Sequence, residues 1–522
     1  MSHGYLCLIL HAHLPFVRHP GPEVFLEENW LFEAVAETYI PLLQTIQGWQ
    51  RDSIPVRLAL TLSPTLCGML SDPLLRERCG RYLDGLVELA EKETHRTRLE
   101  AAFHPLALFY LERLRGIREF YHGCQCDLVG AFRALQDAGG LEIITCAATH
   151  AVLPLLEPSA ARGQILVACD DYRRHFGRDP RGIWLPECAY DPTLDSALHE
   201  ANLRWFALDS HGLTRARPRP RYGLFAPVFT PAGVAAFGRD RESARQVWSR
   251  HDGYPGDYRY RDFYRDIGFD LDLEYVKPHL AAGQRGFTGL KYHRITGGSG
   301  PKAPYQPAQA QAAAAEHAAH FLSARSTQVE RLARILDRPP ILVAPYDAEL
   351  FGHWWYEGPE FLDALARQAP QRLPRLELIT AEDYLARHPT NQVLSPAPSS
   401  WGEGGHWRVW LNETNQWIYP HLHGAQARLR ELAARFRHPG ALEQRALAQA
   451  GRELLLAQAS DWPFILRAGT SPDYARRRVE EHLRRFDALA GRLLQGALDE
   501  SELRAIEAED NLFPDLDWRL LV

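Results

Sequence analysis

Lysine is nearly absent from this chain: Lys92, Lys277, Lys291 and Lys302 are the only ones among 59 Lys and Arg. The arginines are spread through amphipathic stretches with no block of like charge, and the formal net charge is −6. A nucleic-acid or acidic-membrane partner is therefore not expected. No window approaches the length of apolar sequence a membrane span needs, and no basic region followed by an apolar run opens the chain. The eight cysteines all fall within the first 188 residues. Cys7, Cys146 and Cys169 sit inside apolar runs, where a buried thiol is the default, and Cys124-x-Cys126 has no second pair at zinc spacing. With no disulfide framework, the expected location is the cytoplasm. Also missing are a G-x-S-x-G elbow, a P-loop, a Rossmann glycine fingerprint and an H-E-x-x-H pair, so no cofactor and no metal are expected.

What is present is a long alternation of strands and helices. At 522 residues the chain calls for two or three domains. Apolar runs at 6–10, 56–62, 99–103, 141–146, 182–185, 205–208, 234–237, 341–344 and 376–380 read as strands. Helical patterns at 29–49, 73–92 and 308–336 lie between several of them. That order predicts an α/β protein with a parallel sheet, most simply a barrel or incomplete barrel. Proline- and glycine-rich stretches at 215–231, 253–257 and 297–300 break the rhythm and predict shaped loops on the barrel rim. Residues 1–390 are expected to form the barrel, with an inserted rim-loop subdomain at about 188–260. Helical patterns at 424–437, 440–459, 473–494 and 500–509 predict a helical domain over 391–522.

Three apolar runs end on residues able to do chemistry. The first ends on His11-Ala12-His13, the second on Trp184-Leu-Pro-Glu187, the third on Asp347 with Glu349 two residues on. In α/β barrels the loops at the carboxyl ends of the strands build the active site. Carboxylates on different strands are what glycoside cleavage needs, one as nucleophile or base and one as acid. Spacing does not decide between Asp347 and Glu349 as partner of Glu187; the strand-end position favours Asp347. His11 and His13 point to one face of a strand, as metal ligands or as hydrogen-bond donors to sugar hydroxyls. His104, His150 and Asp209-Ser-His211 are expected at further strand ends. The chain has thirteen tryptophans, several (Trp354, Trp355, Trp401, Trp407, Trp410) in polar or glycine-rich surroundings. Flat aromatic faces of this kind stack on pyranose rings.

Collinear segments make the reading more specific. They are His11-Ala-His-Leu-Pro-Phe-Val-Arg18, Trp184-Leu-Pro-Glu-Cys-Ala-Tyr190, Gly238-Arg-Asp-Arg-Glu-Ser243, Gln246-Val-Trp-Ser249, Gly253-Tyr-Pro-Gly-Asp257, Tyr264-Arg-Asp-Ile-Gly268, Lys291-Tyr-His-Arg-Ile-Thr-Gly297, Tyr346-Asp-Ala-Glu-Leu-Phe-Gly-His-Trp-Trp-Tyr-Glu-Gly-Pro359 and Ser400-Trp-Gly402. In these the chain resembles glycoside hydrolase family 57, and within it the α-1,4-glucan branching-enzyme group. The resemblance implies an incomplete TIM-like (β/α)7 barrel with a small inserted subdomain and a helical C-terminal domain. It implies a retaining double displacement on an α-glucan without metal, with Glu187 as nucleophile and Asp347 as general acid/base. It further implies that His11, His13 and His150 line the donor subsite and that Trp401 and Trp410 contact the glucan. Asp209 and Trp354 join them as expected substrate-binding residues. Branching enzymes of this family use a rim loop with a tyrosine at its tip, expected here within 215–245, where Tyr222 is the only tyrosine. Amylases and 4-α-glucanotransferases of the family share the two carboxylates, so the pair does not fix the product.

Overall fold

The computed structural model describes residues 3–21, 25–248, 253–296 and 302–522. Nine strands are found among them: β1 Gly4–Ala12, β2 Leu58–Leu62, β3 Leu141–Cys146, β4 Gly182–Trp184, β5 Trp205–Leu208, β6 Val228–Phe229, β7 Ala235–Gly238, β8 Ile341–Asp347 and β9 Leu376–Leu378. Seven form a parallel sheet in the order β7-β5-β4-β3-β2-β1-β8; β6 lies antiparallel on β7, and β9 pairs with the start of β1. The ends of this sheet curl toward each other. Past β7, Arg239 bridges to Val343 of β8, and the Asp240 N–H donates to Val343 O at 2.7 Å. No other backbone pairing joins β7 to β8 among the described residues, so the seven-stranded barrel is incomplete between them.

Side-chain alternation explains why the strands read as continuous apolar runs. Along β1, Tyr5, Cys7 and Ile9 pack with Cys146, Trp184, Ala207, Phe237 and Val343 of other strands, whereas Leu6, Leu8 and Leu10 join the helical layer. A parallel sheet covered on both faces has no polar side to show. Small residues such as Cys7, Cys146 and Ala235 suit the narrow interior, and burial pushes both thiols well above their usual range. The eight cysteines are all unpaired, six of them buried.

Three expectations need correction. Residues 99–103 form turns rather than a strand, with Leu99 89% exposed. His104 opens the helix His104–Gly123, whose Pro105 stands in the first turn, where proline is best tolerated. It is therefore at no strand end. The 215–231 stretch does not sit over the catalytic rim. Phe225 O accepts from the N–H of Ile341, the first residue of β8, about 20 Å along that strand from Asp347. The reason is topological: β5 and β7 are parallel, so the chain must return to the other end of the barrel between them. Tyr222 lies there, with the guanidinium groups of Arg221 and Arg338 each 5.3 Å from its ring centre. The segment 188–260 contributes two barrel strands, β5 and β7, and the longest connection between consecutive strands among the described residues lies between β7 and β8. Its short helices Ile267–Asp270 and Leu273–Val276 are tied to the helix Pro73–Arg96, where Glu93 accepts from Tyr275 and Tyr292. The glycine run 297–300 and Ser249 fall outside the described residues.

Beyond the barrel, the helices Ile418–Arg435, Ala441–Ala457, Asp461–Ala468, Pro472–Gln495 and Glu500–Glu509 pack together. No helix among the described residues is long and apolar enough to cross a membrane.

Candidate active site

Glu187 follows β4 in a backbone conformation that side chains rarely adopt, φ 62°, and Cys188 after it has φ 49°. Strain of this kind costs about 1–3 kcal/mol and persists only where neighbours enforce it. Here Cys188 N–H donates to Leu185 O, and Trp401 N–H donates to Glu187 O, both at 2.9 Å. The indole of Trp401 then donates to Glu187 Oε2 at 2.6 Å. Backbone and side chain of one tryptophan thus fix the carboxylate.

Asp347 ends β8 directly beside His11 in the register of β1. Among the described residues its carboxylate receives no hydrogen bond. Glu349 is turned away into the protein: Tyr39 donates to its Oε1 at 2.6 Å and the backbone N–H of His13 at 3.1 Å. Glu349 is thus engaged with Tyr39 and the chain just past β1, whereas Asp347 is left without a hydrogen-bond donor among the described residues.

Burial pushes Glu187 up to about 8, against the pull of the Trp401 N–H and with a further push from Asp347 and Asp461. Burial likewise pushes Asp347 up to about 7, opposed by Arg239 and His13. Both carboxyls are thus held above the usual carboxylate range and retain protons around neutrality. The Trp401 N–H favours the anion of Glu187, and Arg239 and His13 favour that of Asp347; burial still leaves Glu187 the higher of the two.

Three histidine rings form the floor. His13 lies on His150 with ring centres 3.8 Å apart and 9° between planes, and His11 lies on Trp184 at 4.8 Å. His11 Nε2 and His150 Nε2 are 2.9 Å apart. Burial first, then the neighbouring histidines, hold His11 and His150 well below the usual imidazole range, so both are neutral near pH 7. His150, itself at φ 58°, meets Ser460 Oγ at 2.7 Å through Nδ1. His13 meets Ser63 Oγ at 2.9 Å and the Asp461 carboxylate at 3.2 Å. Ligand atoms of His13, His150 and Asp461 lie within 4.8 Å of one another, as do those of His11, Cys146 and His150. These are the positions in the cleft that could hold a metal ion, although most of their nitrogens already face partners.

Two expected substrate contacts are engaged elsewhere. The Asp209 carboxylate is taken by His211 Nδ1 at 2.8 Å, Ser210 at 3.0 Å and Arg239 at 3.5 Å. Trp410 is 1% exposed and packs behind the Trp401 loop with Val152 and Ala189. Its ring is wall material, because the close approach of Gly402 leaves no face open. Trp354 is 56% exposed, which leaves a face free. His211 in turn reaches Gly405 O at 2.6 Å and so latches the Trp401 loop. Ser63, Arg239, Ser460 and Asp461 were not singled out from the sequence. Ser460 and Asp461 come from the turn between two C-terminal helices and carry no signal beyond an ordinary helix start. Arg239 stands in a quoted motif, where only its position after a strand hinted at a role.

Comparison with known proteins was made against this geometry. Residues 7–397 match the family described as Glycosyl hydrolase family 57, and residues 421–521 match the C-terminal region of 1,4-alpha-glucan branching enzyme. A 1,4-alpha-glucan branching enzyme of Thermococcus kodakarensis is 34% identical, over 98% of this chain and 77% of that protein. Among solved structures, an alpha-amylase of Thermotoga maritima aligns at 43% identity with a TM-score of 0.93, covering 99% of both chains. A branching enzyme of Pyrococcus horikoshii aligns at 31% identity with a TM-score of 0.90, covering all of this chain and 97% of that one.

Proposed function

The chain belongs to glycosyl hydrolase family 57, and on that footing we propose that it is a 1,4-α-glucan branching enzyme working through Glu187 and Asp347. The observation that carries the reading is the unlike treatment of the two carboxyls that follow β4 and end β8. Glu187 accepts from the Trp401 indole, whereas the Asp347 carboxyl receives no hydrogen bond among the described residues and feels the charge of Arg239. In the first step the Glu187 carboxylate attacks the anomeric carbon of an α-1,4 linkage. The bond to the departing oxygen breaks as Asp347 protonates it. In the second step Asp347, now a carboxylate, takes the proton from a glucan 6-hydroxyl. That oxygen displaces Glu187 from the anomeric carbon, leaving an α-1,6 branch and both carboxyls as they began. The configuration is retained because it is inverted twice.

His11, His13 and His150 supply the donor-subsite wall in this reading, and the free faces of Trp401 and Trp354 stack on the glucan. Eight unpaired thiols support a cytoplasmic location. No metal takes part.

A second reading, net hydrolysis by the same pair, is favoured by two observations. Tyr222, the only tyrosine at 215–245, lies at the far end of the barrel, and the 43% identical neighbour is described as an alpha-amylase. Incubation with amylose separates the two: branching gives α-1,6 linkages with few new reducing ends, and hydrolysis gives reducing ends alone.

A further inference from the structure

Arg239 is the one cation whose surroundings tie it to both carboxyls of the proposed pair. Its backbone is clamped where the barrel nearly closes: its N–H donates to Leu208 O at 2.9 Å, and the residue bridges to Val343 of β8. The side chain is 15% exposed. Its guanidinium carbon lies 5.1 Å from the ring centre of Trp401, the tryptophan that donates to Glu187. Its only acidic partner among the described residues is Asp209, at 3.5 Å, and its buried Nε has none. An unpartnered buried Nε is shared by Arg325, but the terminal nitrogens of the arginines buried away from the site are closer to their acidic partners. Arg325 pairs with Asp240 at 2.9 Å and also with Glu242, and Arg261 pairs with Glu37 and Gly289 O near 3 Å. Arg239 leaves donors unspent beside the cleft, which is a poor arrangement for stability and a useful one for placing charge.

We propose that Arg239 is a positioning residue, its guanidinium held by Asp209, clamping the Trp401 indole against Glu187 and setting a fixed positive charge beside Asp347. The charge acts between the two displacements, when Asp347 has given up its proton and stands as a carboxylate. The flat guanidinium acts throughout, because a tryptophan whose ring is pinned keeps its N–H on Glu187. Other groups near Asp347 are His13 just after β1, Glu187 after β4 and Glu349 in its own loop; Arg239 and His13 oppose the effect of burial there.

The proposal rests on the reading of Glu187 and Asp347 above, and the test separates the two. Steady-state kinetics on amylose, with the pH profile of kcat/KM, are measured for Arg239→Gln, Arg239→Lys and Asp347→Asn. Arg239→Gln should lower kcat by about 30-fold or more with KM within about threefold. It should also move the alkaline limb, where Asp347 must be protonated, up by about one pH unit. Arg239→Lys keeps the charge and loses the stack, so kcat stays depressed by about fivefold or more and the limb stays in place. A wild-type kcat or an unmoved limb in Arg239→Gln overturns the proposal. If Arg239→Gln lacks a cooperative thermal transition, Arg239→Lys decides alone: depressed kcat with an unmoved limb supports the role, and wild-type kcat removes it. If instead the underlying reading is wrong, Asp347→Asn still turns over amylose. If only the role of Arg239 is wrong, Asp347→Asn is inactive and Arg239→Gln behaves as wild type.

Discussion

The two carboxyls are held differently: Glu187 accepts from the Trp401 indole and is pushed up by Asp347 and Asp461, whereas Asp347 is pulled down by Arg239 and His13, burial being the largest influence on both. Trp401→Phe keeps the ring and removes the N–H, so kcat should fall by about 10–100-fold. The pKa of Glu187 should rise with loss of the donor, and because the nucleophile must be ionised, the acid limb of the pH profile moves to higher pH. Rate profiles over pH 4–10 check both effects. The pair also costs stability. A carboxyl whose folded-state pKa is raised has its relative stabilisation intact below its unfolded value, near 4.5 for Glu187, and loses it as pH rises toward about 8. Glu187→Gln should therefore abolish turnover while raising the Tm at pH 8 by about 1–3 °C, with little change at pH 5. Calorimetry at the two pH values reads the difference directly.

Elements bring these residues together by close backbone approach. The π-helical turn Val35–Tyr39 delivers Glu37 to His353 and Arg261, and Tyr39 to Glu349. It can do so because Gly352, at φ 127°, lets the loop after β8 lie against the Glu37 carbonyl. Alanine there is doubly excluded, since its Cβ would overlap that carbonyl oxygen and the backbone is left-handed. Gly352→Ala should cost about 3 kcal/mol or more and lower activity together with stability, as denaturant unfolding and the amylose assay would register. How far the elements were readable follows their physics. The interior strands announce themselves because both faces are buried, as the all-apolar run of β1 up to His11 shows. Residues 99–103 misled because an apolar stretch of five does not say whether it caps a helix or joins a sheet. The path of 215–231 was unreadable for another reason. Proline and glycine mark a loop without saying at which end of a barrel it lies.

The whole molecule is organised so that its C-terminal part completes a site begun by the barrel. Ser460 and Asp461 hold two of the three histidines, and the Trp401 loop holds Glu187. The carboxyls Glu187 and Asp347 and the histidines His11, His13 and His150 could be picked out because apolar runs lead into them: His11 and Asp347 lie within β1 and β8, and the others follow their strands by one to four residues. Sequence could not place Asp461, which meets His13 across 448 positions with no periodic signal. Asp461→Asn should lower kcat by about tenfold or more without changing the far-ultraviolet circular dichroism, because it loosens His13 rather than the helices. Exhaustive dialysis against EDTA should leave turnover unchanged if the cleft histidines serve sugar hydroxyls; loss of activity restored by zinc would reassign them.

The central claim is that the glucan cut by Glu187 and Asp347 is passed to another glucan. Proton NMR of amylose after incubation, counting α-1,6 anomeric signals against new reducing ends, tests it most directly. The account predicts that α-1,6 signals grow and outnumber new reducing ends throughout the reaction. Reducing ends that accumulate with no α-1,6 signal would contradict it.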